Sequence, residues 1–207
     1  MISQEIKMVD SQGLTCKEEF LAQHGIEIIG NGDIASALRE AAGYVGSLAG
    51  NRLYLASGVS NPNPLPEPEY QREAELLRRP AQDKELRGLQ AVYFSTLRID
   101  AQTRYAQHKR EMESLIMNLF PRYVIARLGI ITWGHNPHTT IGFLRERVVR
   151  GEPFNIRETT RDIVTMEDFI RQVNLLPKHN CVAEIHGKIM TEREIFRKYV
   201  SADYSLP

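Results

Sequence analysis

The chain has 207 residues, 42% of them hydrophobic, and sets 26 Lys and Arg against 26 Asp and Glu. That length supports one sizeable core, or one core with a small appended lobe. The balanced charge excludes a global field drawing the protein to nucleic acid or an anionic membrane, and no apolar run approaches the roughly 18 residues of a membrane span.

The start of the chain lacks the basic-then-apolar layout of a signal peptide. Cys16 and Cys181 stand far apart and outside any C-x-x-C pair. The expectation is a reduced, cytoplasmic protein with free thiols.

Residues 1–24 carry no strand pattern and read as an N-terminal extension; Thr15 and Glu18 are spaced as a capping box for a short helix over 17–23. Ile26-Glu27-Ile28-Ile29 reads as a buried strand ended by Gly30-Asn31-Gly32. Residues 33–49 read as a helix, with Asp33 in the first turn and Ile34, Leu38, Ala41 and Ala42 at helical spacing. A second strand covers 53–56.

The proline-rich stretch 61–68 reads as a loop, because alternate prolines remove donors and restrict φ. A charged helix over 69–79 stops at Pro80, and 81–89 reads as another. The third strand is 91–94. The clearest helix is 103–120, with Met112, Leu115, Ile116 and Leu119 on one stripe and Pro121 ending it. Residues 124–126 form a fourth strand. A helix over 141–150, a short strand at 163–164, a helix over 166–175, a strand at 182–185 and a charged helix over 191–199 complete the chain. Strands alternating with helices indicate a parallel sheet covered on both faces.

Three motifs carry chemistry. Gly30-Asn31-Gly32-Asp33-Ile34-Ala35 is a G-x-G-x-x-A between a strand and a helix, where glycines admit a tight turn and the helix N-terminus offers free N–H groups to phosphates. Glycine pairs also mark ordinary turns. Tyr105 and Lys109, four apart on the strong helix, share a face, so the ammonium is expected to lower the tyrosine pKa from about 10 toward neutrality. Such a tyrosine passes a proton to or from a carbonyl or alcohol oxygen. Ser95 and Thr96 end the third strand, where open α/β sheets form sites; hydroxyls there also serve as helix caps.

Taken together, these residues resemble the short-chain dehydrogenase/reductase superfamily, in particular its extended, NAD-dependent epimerase/dehydratase branch. The likeness runs from about Gly25 to about Leu176. It includes the glycine fingerprint, the strand-end segment Leu55-Ala56-Ser57-Gly58-Val59-Ser60-Asn61, and the Ser95 or Thr96, Tyr105 and Lys109 set. It continues through Arg127-Leu128-Gly129, Gly134-His135-Asn136-Pro137, and a segment from Arg161 to Asp168 similar to R-x-x-I-x-V-x-D.

The resemblance implies a Rossmann-like doubly wound parallel sheet binding NAD or NADP. Gly30, Asn31, Gly32, Asp33, Ile34, Ser57 and Gly58 would hold the cofactor, with Tyr105 and Lys109 beside the nicotinamide. Tyr105 is implied as acid/base, Lys109 as its support, and Ser95 or Thr96 as the group orienting the reacting oxygen. Thr96, Asn136 and Arg161 would face a sugar-like substrate, nucleotide-linked in many relatives, and a homodimer would form through the Tyr105–Lys109 helix.

The sequence departs from that pattern between the fingerprint and Leu55, where two further strands are expected, one bearing a ribose-binding acid. The adenosine half of the sheet is therefore expected to be reduced. Asn51 and Arg52 stand near the acid's position, and Arg52 suits a 2′-phosphate or plain solvation. The core is expected over 25–134, with an abbreviated substrate region over 135–207.

His135 and His138 would share a metal only on a helix, and Asn136-Pro137 argues for a loop. His108 reads as a packing or dimer residue, and Cys181 as a buried inert thiol. Arg161 suits a phosphate or a salt bridge to Asp162 or Asp168. Two other readings stand beside the enzyme: a binding or regulatory protein on a reduced Rossmann scaffold without turnover, and a phosphate-ligand enzyme using the glycine turn without nicotinamide.

Overall fold

The computed structural model describes residues 23–42, 48–134 and 136–200. The predicted extension up to residue 22, with its capping box and Cys16, lies outside them, as do 43–47 of the first predicted helix and His135.

Strand β1 (Ile26–Ile29) alternates, with Ile26 and Ile28 buried and Glu27 exposed. Gly30 follows at φ +129°, and a Cβ there would lie 2.3 Å from the Ala56 carbonyl oxygen, so only glycine lets the turn pass so close to the neighbouring strand. Helix α1 (Asp33–Ala42) buries Ala35, Ala37, Leu38, Ala41 and Ala42. Strand β2 (Arg52–Leu55) is buried throughout.

Helix α2 (Glu67–Gln82) begins earlier and ends later than its prolines suggest. Pro68 sits in the first turn, where a missing N–H has no intrahelical partner to lose. Pro80 falls in the last turn and packs inward. The second predicted helix shrinks to α3 (Lys84–Gly88), capped by the Asp83 carboxylate.

Strand β3 (Gln90–Thr96) leads to α4 (Arg104–Leu119), whose first turn donates to the Thr103 hydroxyl, and then to β4 (Tyr123–Leu128). The remainder is β5 (Ile130–Ile131), α5 (Thr140–Val149), β6 (Thr160–Val164), α6 (Met166–Asn174), β7 (Cys181–Ile185), β8 (Lys188–Thr191) and α7 (Glu192–Tyr199). A capping box between Thr191 and Glu194 starts α7. β5 and β8 are short and mostly uncovered, and carry no pattern in the sequence.

The main sheet is parallel, in the order β1-β2-β3-β4-β7; β5, β6 and β8 form a second, three-stranded sheet. The division at residue 135 is therefore corrected. β7 pairs in register with β4, from Val124 opposite Cys181 to Leu128 opposite Ile185. Phe169 and Val173 of α6 join the core beneath α1. Only β5, β6, β8, α5 and α7 make the small lobe, around Ile141, Ile163, Met190 and Ile195. A second core, including Leu53, Leu77, Ile116 and Phe120, fills the opposite face of the main sheet under α2 and α4.

β1 is the sheet edge among the described residues, as the shortened sequence interval requires. Its Ile29 carbonyl faces β2 and accepts from Ala56 N–H. The alternate carbonyls of Ile28 and Gly30 accept from the Arg39 guanidinium, at 3.1 and 2.7 Å. Arg52 is not placed for a 2′-phosphate. It is buried, and it donates to Gln90 Oε1 and to the carbonyls of Val173 and Leu176, closing the C-terminus of α6. No helix of the described residues is long and apolar enough to cross a membrane.

Candidate functional site

A cavity of about 610 Å³ opens at the carboxyl ends of the main-sheet strands, between that sheet and the small lobe. Gly32, Asp33 and Ile34 of the glycine turn line it, with Gly58 after β2, Thr96 after β3, and Tyr105 and Lys109 of α4. The small lobe contributes Arg161, and the β5–α5 connection contributes Asn136. The structure thus brings most of the sequence-predicted set to one place. Asn31 is exposed beside the cavity without lining it. The Ser57 hydroxyl turns inward and is buried without a hydrogen-bond partner.

At the glycine turn, a Cβ on Gly32 would meet nothing within 4 Å, so the space over the first turn of α1 is open. Gly134, at φ +90°, packs directly on the Asp33 carboxylate, and the Trp133 indole N–H donates to the Asp33 carbonyl at 3.2 Å.

Tyr105 is half-buried, and Thr96 lines the same cavity. The expectation of a lowered tyrosine pKa is corrected. Burial raises it, Lys109 opposes, the Glu73 carboxylate adds to the rise, and the Thr96 side chain lowers it; the balance is upward. Lys109 sits 5.9 Å from the Tyr105 ring centroid, but its Nζ is engaged elsewhere, 3.1 Å from Glu73 Oε1 and 3.0 Å from the Tyr93 hydroxyl.

Glu73 was missed in the sequence and organises this region. It is fully buried on α2, within the inward stripe of Tyr70, Ala74 and Leu77. A carboxylate inside an apolar stripe is the signal that would have found it. Its oxygens accept from Val59 N–H at 2.7 Å and the Tyr93 hydroxyl at 2.7 Å, pair with Lys109, and meet His108 Nε2 at 2.7 Å. Burial alone would raise this carboxyl; Lys109, His108 and the other donors outweigh it and hold it well below the usual carboxylate range. His108 is thus a packing residue, with its ring 4.7 Å from that of Tyr70.

Glu113 is a second buried carboxylate beneath the site. It accepts from the Ser95 hydroxyl at 2.6 Å and forms a two-pronged pair with Arg127, at 3.1 and 2.8 Å. The Ser95 hydroxyl is therefore committed to Glu113, and the Thr96 hydroxyl, which accepts from Arg98 N–H at 3.2 Å, is the other one at this strand end.

Arg161 pairs with Glu192 at 3.2 Å, not with Asp162 or Asp168. The reason lies in the fold: antiparallel β8 leads straight into α7, whose first residue is Glu192. Burial, then the neighbouring Arg98 guanidinium, lower the Arg161 pKa, with Glu192 opposing. Thr165 caps α6 by accepting from the Asp168 N–H, and the Asp168 carboxylate accepts from the Thr165 hydroxyl and pairs with Arg171. Asn136 Nδ2 donates to the Ser60 hydroxyl at 2.8 Å. His138 is exposed, and no group of residues able to hold a metal occurs among those described. Cys181 is half-buried on the edge strand β7, and burial raises its thiol pKa.

Neither a family model nor a curated protein matches this sequence. Solved structures do match. The Bordetella bronchiseptica enzyme WbmG, in complex with NAD and UDP, superposes at TM-score 0.53 with 18% identity, over 75% of this chain and 58% of its own. The chain has the fold of the NAD-dependent epimerase/dehydratase enzymes.

WbmH of the same organism, in complex with NAD+, gives TM-score 0.55 and 14% identity over 86% of this chain and 73% of its own. A UDP-glucose 4-epimerase of Thermotoga maritima, with UDP-glucose, gives 0.54 and 16% over 91% and 79%. The chain spans less than two thirds of WbmG, in keeping with the shortened β1 side of the sheet.

Proposed function

We propose that the protein is an NAD(P)-dependent enzyme acting on a sugar-like alcohol or ketone, nucleotide-linked, with Tyr105 as the acid/base residue. One observation carries the reading. Tyr105, Thr96 and Lys109 line the same cavity as the glycine turn at the start of α1. Neighbours of the same fold are crystallised with NAD and with UDP or UDP-glucose.

The residues present fit a dinucleotide on the nicotinamide and phosphate side. Open space over Gly32 at the N-terminus of α1 suits a pyrophosphate. Hydride exchange with a substrate carbon is the chemistry such a cofactor supplies when bound. Gly30, Asn31, Gly32 and Ile34 would shape its phosphate site, and Ser57 and Gly58 its passage toward the nicotinamide. Asp33 would border the phosphates with its own charge.

The chain's residues then handle the proton and the orientation. Thr96, in place of Ser95, orients the reacting oxygen. Tyr105 passes the proton to or from that oxygen. Arg161, one guanidinium of a group with Arg98 and Arg157, and Asn136 bind the substrate, Arg161 through a phosphate. Cytoplasmic residence and a homodimer through α4 complete this reading; sedimentation velocity tests the second.

The test is a titration with NADH and NADPH separately, read by nucleotide fluorescence and thermal stability. Saturable binding, with a melting temperature that rises with ligand, supports the reading and opens a screen of sugar nucleotides. No binding at millimolar nucleotide overturns it. The cut edge at β1 favours the second reading, a binding protein without turnover, because no described strand beyond β1 carries an adenosine-ribose acid. That reading expects Tyr105→Phe to leave ligand binding unchanged and no variant to alter a reaction rate.

A further inference from the structure

The Lys109 ammonium lies directly beneath the chain at Gly58, where a Cβ would fall 2.7 Å from Nζ and 2.6 Å from Glu73 Oε1. Two acceptors, Glu73 and the Tyr93 hydroxyl, fix that ammonium. The Glu73 carboxylate facing Lys109 carries the opposite charge, so it offsets part of the stabilisation that the ammonium gives a Tyr105 phenolate.

We propose that Glu73 is a positioning residue: it pins Lys109 under Gly58 and offsets its charge, so that the Tyr105 hydroxyl keeps its proton and acts as a proton donor. This rests on Tyr105 being the acid/base residue. It deepens that reading by favouring substrates presented as a carbonyl. In that direction Tyr105 would give its proton to the carbonyl oxygen while a bound, reduced nicotinamide dinucleotide would supply the hydride to the carbon, the products being an alcohol and the oxidised dinucleotide. Tyr105 regains its proton from solvent.

The groups around Tyr105 are accounted for on each element. Glu73 stands on α2, Tyr93 and Thr96 on β3, and His108, Lys109 and Glu113 on α4. Across the cavity lie Asp33, Arg98, His138, Arg161 and Asp162. Of the carboxylates, Glu73 is the one that touches Lys109.

Ultraviolet difference titration of tyrosinate, without cofactor, tests the proposal. Subtracting the Tyr105→Phe curve isolates Tyr105. In the wild type it should ionise above the ordinary tyrosine range of about 10. Glu73→Gln should lower its midpoint by at least about one pH unit, a tenfold change in proton affinity. Glu73→Asp should restore most of the wild-type value, which a purely structural role would not predict. An unchanged or raised midpoint in a folded Glu73→Gln protein overturns the proposal. If that variant does not fold, the pair is removed together: Lys109→Met with Glu73→Gln should leave the Tyr105 midpoint within about one pH unit of the wild type, and a rise of more than about one unit overturns the proposal. Nucleotide titration reports on the cofactor reading separately, so the two can fail independently.

Discussion

The two flanks of the main sheet use buried charge in opposite ways. On the β1–β2 flank the charged groups are arginines, and they complete the backbone. Arg39 occupies the outward carbonyls of the edge strand, and Arg52 closes the C-terminus of α6. On the β3–β4 flank the charged groups are glutamates, and they position side chains. Glu73 gathers Tyr93, His108 and Lys109, and Glu113 gathers Ser95 and Arg127. A shortened sheet leaves carbonyls that need donors, whereas a site needs acceptors that hold donors still. Among the described residues, the β1 edge has its Ile28 and Gly30 carbonyls supplied with a donor, which blunts a strand edge as a template for aggregation.

If the glutamate flank serves chemistry, Tyr105→Phe has the largest effect. Turnover should fall by about 100-fold or more, with nucleotide affinity nearly unchanged, as steady-state rates and fluorescence titration would read. If the arginine flank serves the backbone alone, Arg52→Met should cost stability and leave the chemistry intact. Several carbonyls and Gln90 lose their donor together, so about 3 kcal/mol is expected, or roughly 6–12 °C in melting temperature. Loss of nucleotide binding in a folded Arg52→Met protein would break the contrast.

Gly32→Ala probes the turn between the flanks. Its Cβ meets no protein atom, so melting should be unchanged while nucleotide affinity falls about tenfold, or about 1.4 kcal/mol. Arg39→Ala should cost about 1 kcal/mol and introduce concentration-dependent association in sedimentation velocity, through the uncovered β1 edge.

The smallest effect comes from outside both flanks. His186 bridges Asp162 at 2.6 Å and Glu184 at 3.0 Å, and these hydrogen bonds raise its pKa. A raised folded value gives a stabilisation fully present below the ordinary histidine pKa of about 6.5 and lost as pH rises through the folded value. The ring is half exposed, so less than about 1 kcal/mol is expected. Urea melts at low and high pH should show the slope, and His186→Gln should flatten it.

Much of this was legible in the chain. A short β-branched run marked β1, glycine marked its turn, and the helices read from Thr103 and Thr191 begin there. Each of these signals acts within a turn or two of backbone, where residue type alone sets the outcome. The Gly32, Tyr105 and Lys109 positions were legible for a related reason: an α/β sheet delivers its strand ends to one side, so motifs after successive strands meet. Pro68 and Pro80 misled because a proline's effect depends on where in the helix it falls. Arg161 misled because its partner, Glu192, arrives by antiparallel pairing thirty-one residues away.

The sequence by itself determined the order of the five main-sheet strands and the helices between them, the glycine turn, the short interval before β2 and the Tyr105–Lys109 face. Only the tertiary structure decided which charges meet. Glu73 draws partners from the loop after β2, from β3 and from α4, and no spacing along the chain encodes that convergence. The reason is electrostatic. A charge taken out of water must find partners at hydrogen-bond distance, and which groups lie that close is settled by packing.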